Sequence, residues 1–130
     1  METLRKECSA NEIRLQKLAS EMGLAPPIIE TDNETYMIME KIPFMNVADM
    51  YGTTIRTLPH FVRHRIIDIL RKLYDAGIQY VDITPYNFIE TKERMWIIDF
   101  GDAFDDPRPI HPHLKQIFET GRLRWNPDFK

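Results

Sequence analysis

The chain has 130 residues, of which 43% are hydrophobic and 28% charged, and its formal net charge is -3. This length suits one domain, and the apolar content favours a modest core over disorder. The balance of 17 basic and 20 acidic residues argues against a nucleic-acid partner, and no apolar run reaches the roughly 20 residues of a membrane span. The polar N-terminus is unlike a signal peptide, and a single cysteine, Cys8, indicates a reducing, cytoplasmic setting.

The N-terminal third of the sequence predicts one helix and two strands. A helix over residues 10–22 begins with an S-x-x-E capping pattern, formed by Ser9 and Glu12. Gly23 suits the left-handed position that ends such a helix. Two short apolar segments then predict strands, at residues 28–30 and 35–41.

The rest of the sequence predicts a mainly helical region that contains a β-hairpin. Its strongest element is an amphipathic helix over residues 59–76, whose broad apolar stripe is typical of a central core helix. A polar turn at residues 91–94 separates the two strands of the hairpin. The predicted elements are a short helix at 47–51, the long helix at 59–76, a strand at 78–81, hairpin strands at 87–90 and 95–98, and a helix at 113–120.

Three polar side chains stand at the ends of these short strands. Asp82 lies on a loop stiffened by Pro85, Asn87 opens the hairpin and Asp99 follows its second strand. If the hairpin pairs in register, Asn87 and Asp99 are neighbours, with Asp82 nearby. Oxygen ligands of this kind suit Mg²⁺, and a further carboxylate can orient or deprotonate a hydroxyl.

This arrangement resembles the catalytic loop and metal-binding motif of protein kinases and their small kinase-like relatives. The D-x-x-x-x-N pattern of residues 82–87 is followed by a hairpin and by I-D-F-G at residues 98–101. The helix at 10–22, followed by GLAPPII, is similar to the lipopolysaccharide, RIO and aminoglycoside kinase branches. The resemblance covers roughly residues 10–104. It implies a truncated kinase-like α+β fold with a mainly helical C-lobe, a small β-hairpin and an N-lobe remnant of one helix and two strands.

The resemblance also implies a role for each matching residue. Asp82 matches the catalytic base, while Asn87 and Asp99 match catalytic residues that bind Mg²⁺, with ATP as the nucleotide. The residues that match the adenine-binding hinge and its pocket are Met39, Glu40, Lys41 and Ile42. The whole chain, 1–130, would then be one domain, with an N-lobe remnant and hinge over 1–43 and a C-lobe core over 44–130.

Several kinase features are missing from the sequence. No glycine-rich loop and no V-A-I-K strand precede the first helix, and Lys6 stands too close to Glu12 for us to expect it on a separate strand. Glu12 matches the helix glutamate that pairs with the nucleotide-binding lysine, but its position in the capping pattern is the favoured explanation, because the usual lysine partner is missing. Tyr80 and Val81 replace the catalytic-loop histidine and arginine.

The resemblance leaves three functions open. The first is a kinase-like phosphotransferase that uses Mg-ATP to modify a protein serine or threonine, impaired or dependent on a partner. The second is a pseudokinase that regulates a partner kinase or its substrate, and the third is a structural component. By analogy with small viral kinase-like chains, a viral origin would place the protein in a host cell or virion. We expect the strand at 35–41 to expose an edge, and therefore expect self-association or a partner that completes the N-lobe sheet.

Overall fold

Residues 1–129 are the part of the chain that the computed structural model describes, and residue 130, the last of the predicted C-lobe, lies outside it. The fold is α+β, as predicted. In chain order, the described elements are β1 (Thr3–Glu7), α1 (Ala10–Glu21), β2 (Ile28–Thr31), β3 (Tyr36–Glu40), α2 (Val47–Tyr51), a 3-10 turn (Ile55–Thr57), α3 (His60–Asp75), β4 (Phe88–Glu90), β5 (Met95–Ile97) and α4 (Pro112–Thr120).

The N-terminal sheet has three antiparallel strands in the order β1-β3-β2. The prediction of two strands is wrong by one, because β1, with the sequence TLRKE, is polar and nearly all exposed and so shows no apolar alternation. The expectation that the strand at 35–41 exposes an edge is also wrong. That strand is β3, which lies in the centre of the sheet with Lys6 of β1 opposite Met37.

Helix α1 begins and ends where the sequence predicts. The Ser9 hydroxyl accepts a hydrogen bond from the Glu12 backbone N–H at 3.1 Å, as expected of a helix-capping serine. At the other end Gly23 has a φ of 77°, a conformation that glycine adopts without the steric cost of a side chain. The helix is thereby fixed directly after β1, with only Cys8 and Ser9 between the two elements.

Two apolar cores lie on opposite sides of α1. A small core joins the helix to the sheet through Ile13, Met37 and Met39. A much larger core receives Leu15 of α1 and the apolar stripe of α3. The residues of α3 that are buried in it are Val62, Ile66, Ile69, Leu70 and Leu73. Each such side chain contributes about 1.5–3 kcal/mol through burial, so the larger core dominates the stability.

The C-terminal elements follow the prediction with one exception. Strands β4 and β5 form the expected hairpin, with Phe88 opposite Ile97. The predicted strand at 78–81 is wrong, because only Gln79 makes a bridge, to Phe104, while Tyr80 turns inward. Helix α4 begins at Pro112, one residue before the predicted start, since proline fits the first turn of a helix.

Within residues 1–129, no helix is both long and apolar enough to cross a bilayer. The division of the chain at residue 43 into an N-lobe remnant and a C-lobe core stays a prediction.

Candidate functional site

A cleft of about 540 Å³ separates the N-terminal sheet from the hairpin. Its apolar walls come from Met39 and Ile42 on one side and from Ile89 and Ile98 on the other. The polar side chains in the same cleft include Lys6, Asn87 and Asp99. The cleft therefore combines an apolar slot with a charged end, the usual composition of a small-molecule site.

Lys6 stands at the centre of the charged end. Its Nζ makes an ion pair with the Glu12 carboxylate and a second one, at 3.2 Å, with Asp99 Oδ1. The expectation that Lys6 lies too close to Glu12 to be on a separate strand is wrong. The tight two-residue turn at Cys8 and Ser9 folds β1 back beside α1. Lys6 and Glu12, only six positions apart in sequence, can therefore lie on separate elements and still form an ion pair.

The Lys6 ammonium group stays charged in this setting. Burial alone would lower its pKa, but the hydrogen bond that Lys6 donates to Glu12 and the nearby Asp99 carboxylate outweigh burial, and the pKa of Lys6 is raised. Glu12 is 5% exposed and its backbone N–H is the one capped by Ser9. Glu12 thus belongs to the helix start through its backbone and to the ion pair through its side chain, so the two roles left open by the sequence coexist.

Asp82 and Asn87 are joined directly. The Asn87 Nδ2 donates to the Asp82 backbone carbonyl at 2.9 Å and to its Oδ2 at 3.1 Å. Burial raises the pKa of Asp82; the Asn87 hydrogen bond opposes that effect, and the Asp99 charge adds to it. Asp82 is therefore a more basic carboxylate than an exposed aspartate, and its orientation is fixed by its neighbour.

Asp99 has an unusual backbone conformation that aims its side chain into the cleft. Its φ is 65°, in the left-handed region that a non-glycine residue enters at a cost of roughly 1 kcal/mol or more. The Gly101 N–H donates to Asp99 Oδ1 at 3.3 Å, and a Cβ at Gly101 would lie 3.3 Å from that oxygen and from Glu12 Oε1. Glycine at position 101 therefore allows the Asp99 and Glu12 carboxylates to come close to the backbone.

Tyr80 holds the segment that carries Asp99, a role that the sequence analysis missed. Its hydroxyl donates to the Ile98 backbone carbonyl at 2.6 Å, and its ring lies edge-on to Phe100 at 5.4 Å between centroids. The Ile98 N–H in turn donates to the Asn87 carbonyl at 3.0 Å. The replacement of the kinase histidine by Tyr80 was the available signal, since a tyrosine hydroxyl can donate from that position.

The oxygens of Asp99 and Asn87 fit a magnesium ion. The Asn87 side-chain nitrogen Nδ2 is directed to Asp82, and no group within residues 1–129 donates a hydrogen bond to the side-chain oxygen Oδ1. One carboxylate and one amide oxygen suit Mg²⁺, which completes its coordination with water and phosphate oxygens. Residues 1–129 contain no cluster of three His, Cys, Asp or Glu side chains able to hold a metal, so the chain itself supplies only part of such a shell.

The four residues expected at the hinge all line the cleft: Met39, Glu40, Lys41 and Ile42. The Glu40 and Lys41 backbone N–H groups already donate to the carbonyls of Pro27 and Glu2, each at 3.0 Å. These hydrogen bonds distinguish Glu40 and Lys41 from Ile42 among the residues that match the hinge.

The match to known protein families covers nearly the whole chain. The model of the RIO domain matches residues 2–120. The chain belongs to the RIO domain family. RIO domains are part of the protein kinase-like superfamily, so the predicted resemblance to kinase-like proteins is confirmed. The match starts at residue 2, so it includes strand β1 and Lys6, whereas the resemblance drawn from the sequence began only at residue 10.

Three curated relatives of this RIO domain come from archaea. A probable serine/threonine-protein kinase BUD32 homolog of Archaeoglobus fulgidus is 31% identical over 90% of this chain and 57% of the relative. A KEOPS complex subunit Bud32 of Pyrococcus abyssi is 32% identical over 94% of this chain and 59% of the relative. A probable bifunctional tRNA threonylcarbamoyladenosine biosynthesis protein of Methanosarcina mazei is 30% identical over 92% of this chain and 21% of its own length. This RIO domain chain thus spans under three-fifths of each of them.

A solved structure supports the same fold. The Cydia pomonella granulovirus kinase PK-1 aligns with a TM-score of 0.56 and 17% identity, over 85% of this chain and 45% of the viral one. At that identity the likeness concerns the fold alone.

Proposed function

We propose that this RIO domain binds Mg-ATP in the cleft and transfers the terminal phosphoryl group to a serine or threonine hydroxyl of a protein substrate. The observation that carries the proposal is the position of Lys6 between Glu12 and Asp99, at the charged end of an apolar cleft. The contact with Asp99 spans the cleft from the N-terminal sheet to the segment after β5. A cation held there by two carboxylates is well placed to meet nucleotide phosphates.

The adenine ring would lie in the apolar part of the cleft. Met39 and Ile42 would cover one side of the ring, and Ile89 and Ile98 the other. Because the Glu40 and Lys41 N–H groups are already used, the backbone of Ile42 is our candidate for a hydrogen bond to adenine. The phosphates would then extend toward Lys6, Asn87 and Asp99.

Each polar residue has a defined part in the proposed reaction. Asp99 and Asn87 would hold Mg²⁺, which neutralises charge on the phosphate oxygens when bound. Asp82, oriented by Asn87, would accept the proton of the substrate hydroxyl as its oxygen bonds to the γ-phosphorus. The bond from that phosphorus to the bridging oxygen breaks, and ADP leaves with the electron pair. Burial makes Asp82 a better proton acceptor by raising its pKa.

A second candidate function is nucleotide binding without phosphoryl transfer, as in a pseudokinase. The five glycines stand at positions 23, 52, 77, 101 and 121, so residues 1–129 place no glycine-rich loop over the charged end of the cleft. Loss of one transition-state contact of that kind costs about 3–4 kcal/mol, which would slow transfer without preventing binding.

The names of the relatives suggest a setting for either function. One relative is a subunit of the KEOPS complex and another is named for the biosynthesis of threonylcarbamoyladenosine in tRNA. We propose that this chain likewise works in the cytoplasm with partner proteins. The exposed edge of β1 is the position at which a partner strand could extend the N-terminal sheet.

Calorimetric titration with Mg-ATP tests the binding step. We expect the wild-type protein to bind, Asp99→Asn to bind at least about tenfold more weakly, and the control Asp106→Asn, which removes an exposed carboxylate outside the cleft, to match the wild type. Equal affinity in all three proteins, or no binding to the wild type at millimolar Mg-ATP, would refute the proposal.

Radiolabelled phosphate transfer to protein tests the chemical step. We expect Asp82→Asn to bind Mg-ATP like the wild type but to lose transfer. If wild type and Asp82→Asn both bind the nucleotide and neither transfers phosphate, the second candidate replaces the first. Transfer that persists in Asp82→Asn would remove Asp82 from its role as base.

A further inference from the structure

A second pocket, of about 460 Å³, lies on the face of the C-terminal layer formed by the start of α3 and the segment after α4. It shares no residue with the cleft. Its ionisable lining consists only of basic groups, which are His60, Arg63, His64, Arg122 and Arg124. No aspartate or glutamate among residues 1–129 lines it, although acidic residues outnumber basic ones in the chain as a whole.

The arginines of this pocket differ from most arginines elsewhere in the protein. Arg5, Arg14, Arg65 and Arg108 each make an ion pair with a carboxylate. Within residues 1–129, by contrast, the three pocket arginines make no ion pair and their guanidinium groups donate no hydrogen bond. Three guanidinium groups that share a pocket without a counter-charge repel one another, and an anion between them would relieve this repulsion.

Arg63 gives a second, independent indication. Its Nε is buried and has no hydrogen-bond partner in the described chain. A buried donor without a partner is destabilising, and such groups are rare unless a ligand or water completes them.

The backbone around the pocket favours the same kind of ligand. Arg122 and Arg124 are exposed on either side of the buried Leu123, so both side chains lie toward solvent at the pocket. His60 and His64 lie in the first turns of the 16-residue α3, where the helix dipole adds positive potential. Their Nε2 atoms are 2.8 Å apart, which places two imidazole rings together at the rim.

We propose that this pocket binds a phosphate group of a ligand, at a site separate from the nucleotide cleft. Guanidinium groups match the planar geometry of phosphate oxygens and remain charged at all physiological pH values. The phosphate can come from a small phosphorylated molecule or from the backbone of a single-stranded RNA. Both sources present the same oxygens to the three arginines, and the experiment separates them.

Titration with pyrophosphate and with a short single-stranded RNA, both without divalent cations and at low ionic strength, tests the site. We expect at least one of the two probes to bind the wild type, and Arg122→Gln/Arg124→Gln to weaken that binding at least about tenfold. The control Lys92→Gln/Lys115→Gln removes the same charge from exposed positions outside the pocket and should stay within about twofold of the wild type. Binding of pyrophosphate indicates the small-molecule source, and binding of RNA alone the polymeric one.

Nuclear magnetic resonance locates the bound probe, because pyrophosphate could also meet Lys6. We expect the backbone amide signals of Gly121 and of residues 122–124 to shift on titration, and those shifts to vanish in the double arginine variant. The proposal is overturned if neither probe binds at millimolar concentration, if the lysine control loses as much affinity as the arginine variant, or if only cleft residues respond.

Discussion

The layers on the two sides of the cleft differ in what holds them together. The C-terminal layer is built on a large apolar core centred on α3, whereas the sheet packs on α1 through a core of only Ile13, Met37 and Met39. Charged and polar contacts reinforce the N-terminal layer instead, among them Arg14 with Asp105 at 2.8 Å and Lys6 with Asp99. The proposed base, Asp82, and the proposed magnesium ligands therefore lie on the C-terminal layer with its large core. Lys6 lies on the N-terminal layer, which its small core holds less firmly.

This comparison predicts unequal effects of equal truncations in the two cores, and these are the largest effects we expect. Leu73→Ala in the large core should lower the free energy of unfolding by about 2–5 kcal/mol, because the cavity is surrounded by α3 and its neighbours. Met37 is as buried as Leu73, but Met37→Ala should lower the global free energy of unfolding by less. The reason is that the sheet can loosen while the C-terminal layer stays folded. Urea denaturation measures the first effect, and hydrogen exchange of the β1 and β3 amides the second. Equal losses of global stability, with no faster exchange in the sheet, would contradict the comparison.

Removal of Lys6, which pairs with Glu12 in its own layer and with Asp99 across the cleft, should give the next largest effect. Lys6→Met leaves Glu12, which is 5% exposed, without its partner, and we expect a loss of about 1–3 kcal/mol in unfolding free energy. Adding Glu12→Gln should restore most of that stability, because the unpaired charge disappears, but should not restore binding of Mg-ATP. Lys17→Met, which removes a lysine bonded to Asn33 far from the cleft, is the control and should bind normally.

Denaturation and calorimetry on the same four proteins separate these outcomes. If the double variant recovers nucleotide binding together with stability, Lys6 acts only by holding the fold, and its proposed contact with phosphate is wrong.

The sequence predicted the apolar elements well and the polar ones poorly. Helices α1 and α3 and the hairpin follow from apolar spacing and from the glycines that end them, such as Gly23 and Gly77. Strand β1 has no such pattern, because it is a strand through its pairing with β3 rather than through burial. Since β1 was not predicted, the position of Lys6 beside Glu12 was not predicted either. The positions of Asp82, Asn87 and Asp99 were predicted because local motifs place them, whereas the contacts of Tyr80 depend on packing between distant segments.

A smaller effect should come from the hydroxyl of Tyr80. Tyr80→Phe keeps the ring between Phe88 and Phe100 but leaves the Ile98 carbonyl without its donor. We expect a loss of about 1–2 kcal/mol in unfolding free energy and a several-fold weaker affinity for Mg-ATP, because the left-handed conformation of Asp99 is less well held. Tyr74→Phe, on the far side of the C-terminal layer, is the matched control and should change neither quantity. Unchanged nucleotide affinity in Tyr80→Phe would limit Tyr80 to a packing role.

The smallest effect concerns pH and the C-terminal layer alone. Burial lowers the pKa of His113, opposed in part by its contact with the Arg124 carbonyl at 3.0 Å. The unfolded chain takes up a proton near pH 6.5, whereas the folded protein resists it until a lower pH, so stability present at neutral pH falls as the pH drops below about 6.5. His113→Gln should flatten this part of the stability profile. Because His113 is buried in the C-terminal layer, this loss should lower global stability in urea. It should not selectively increase hydrogen exchange of the β1 and β3 amides. A selective increase there would show that the titrating group lies in the N-terminal layer instead.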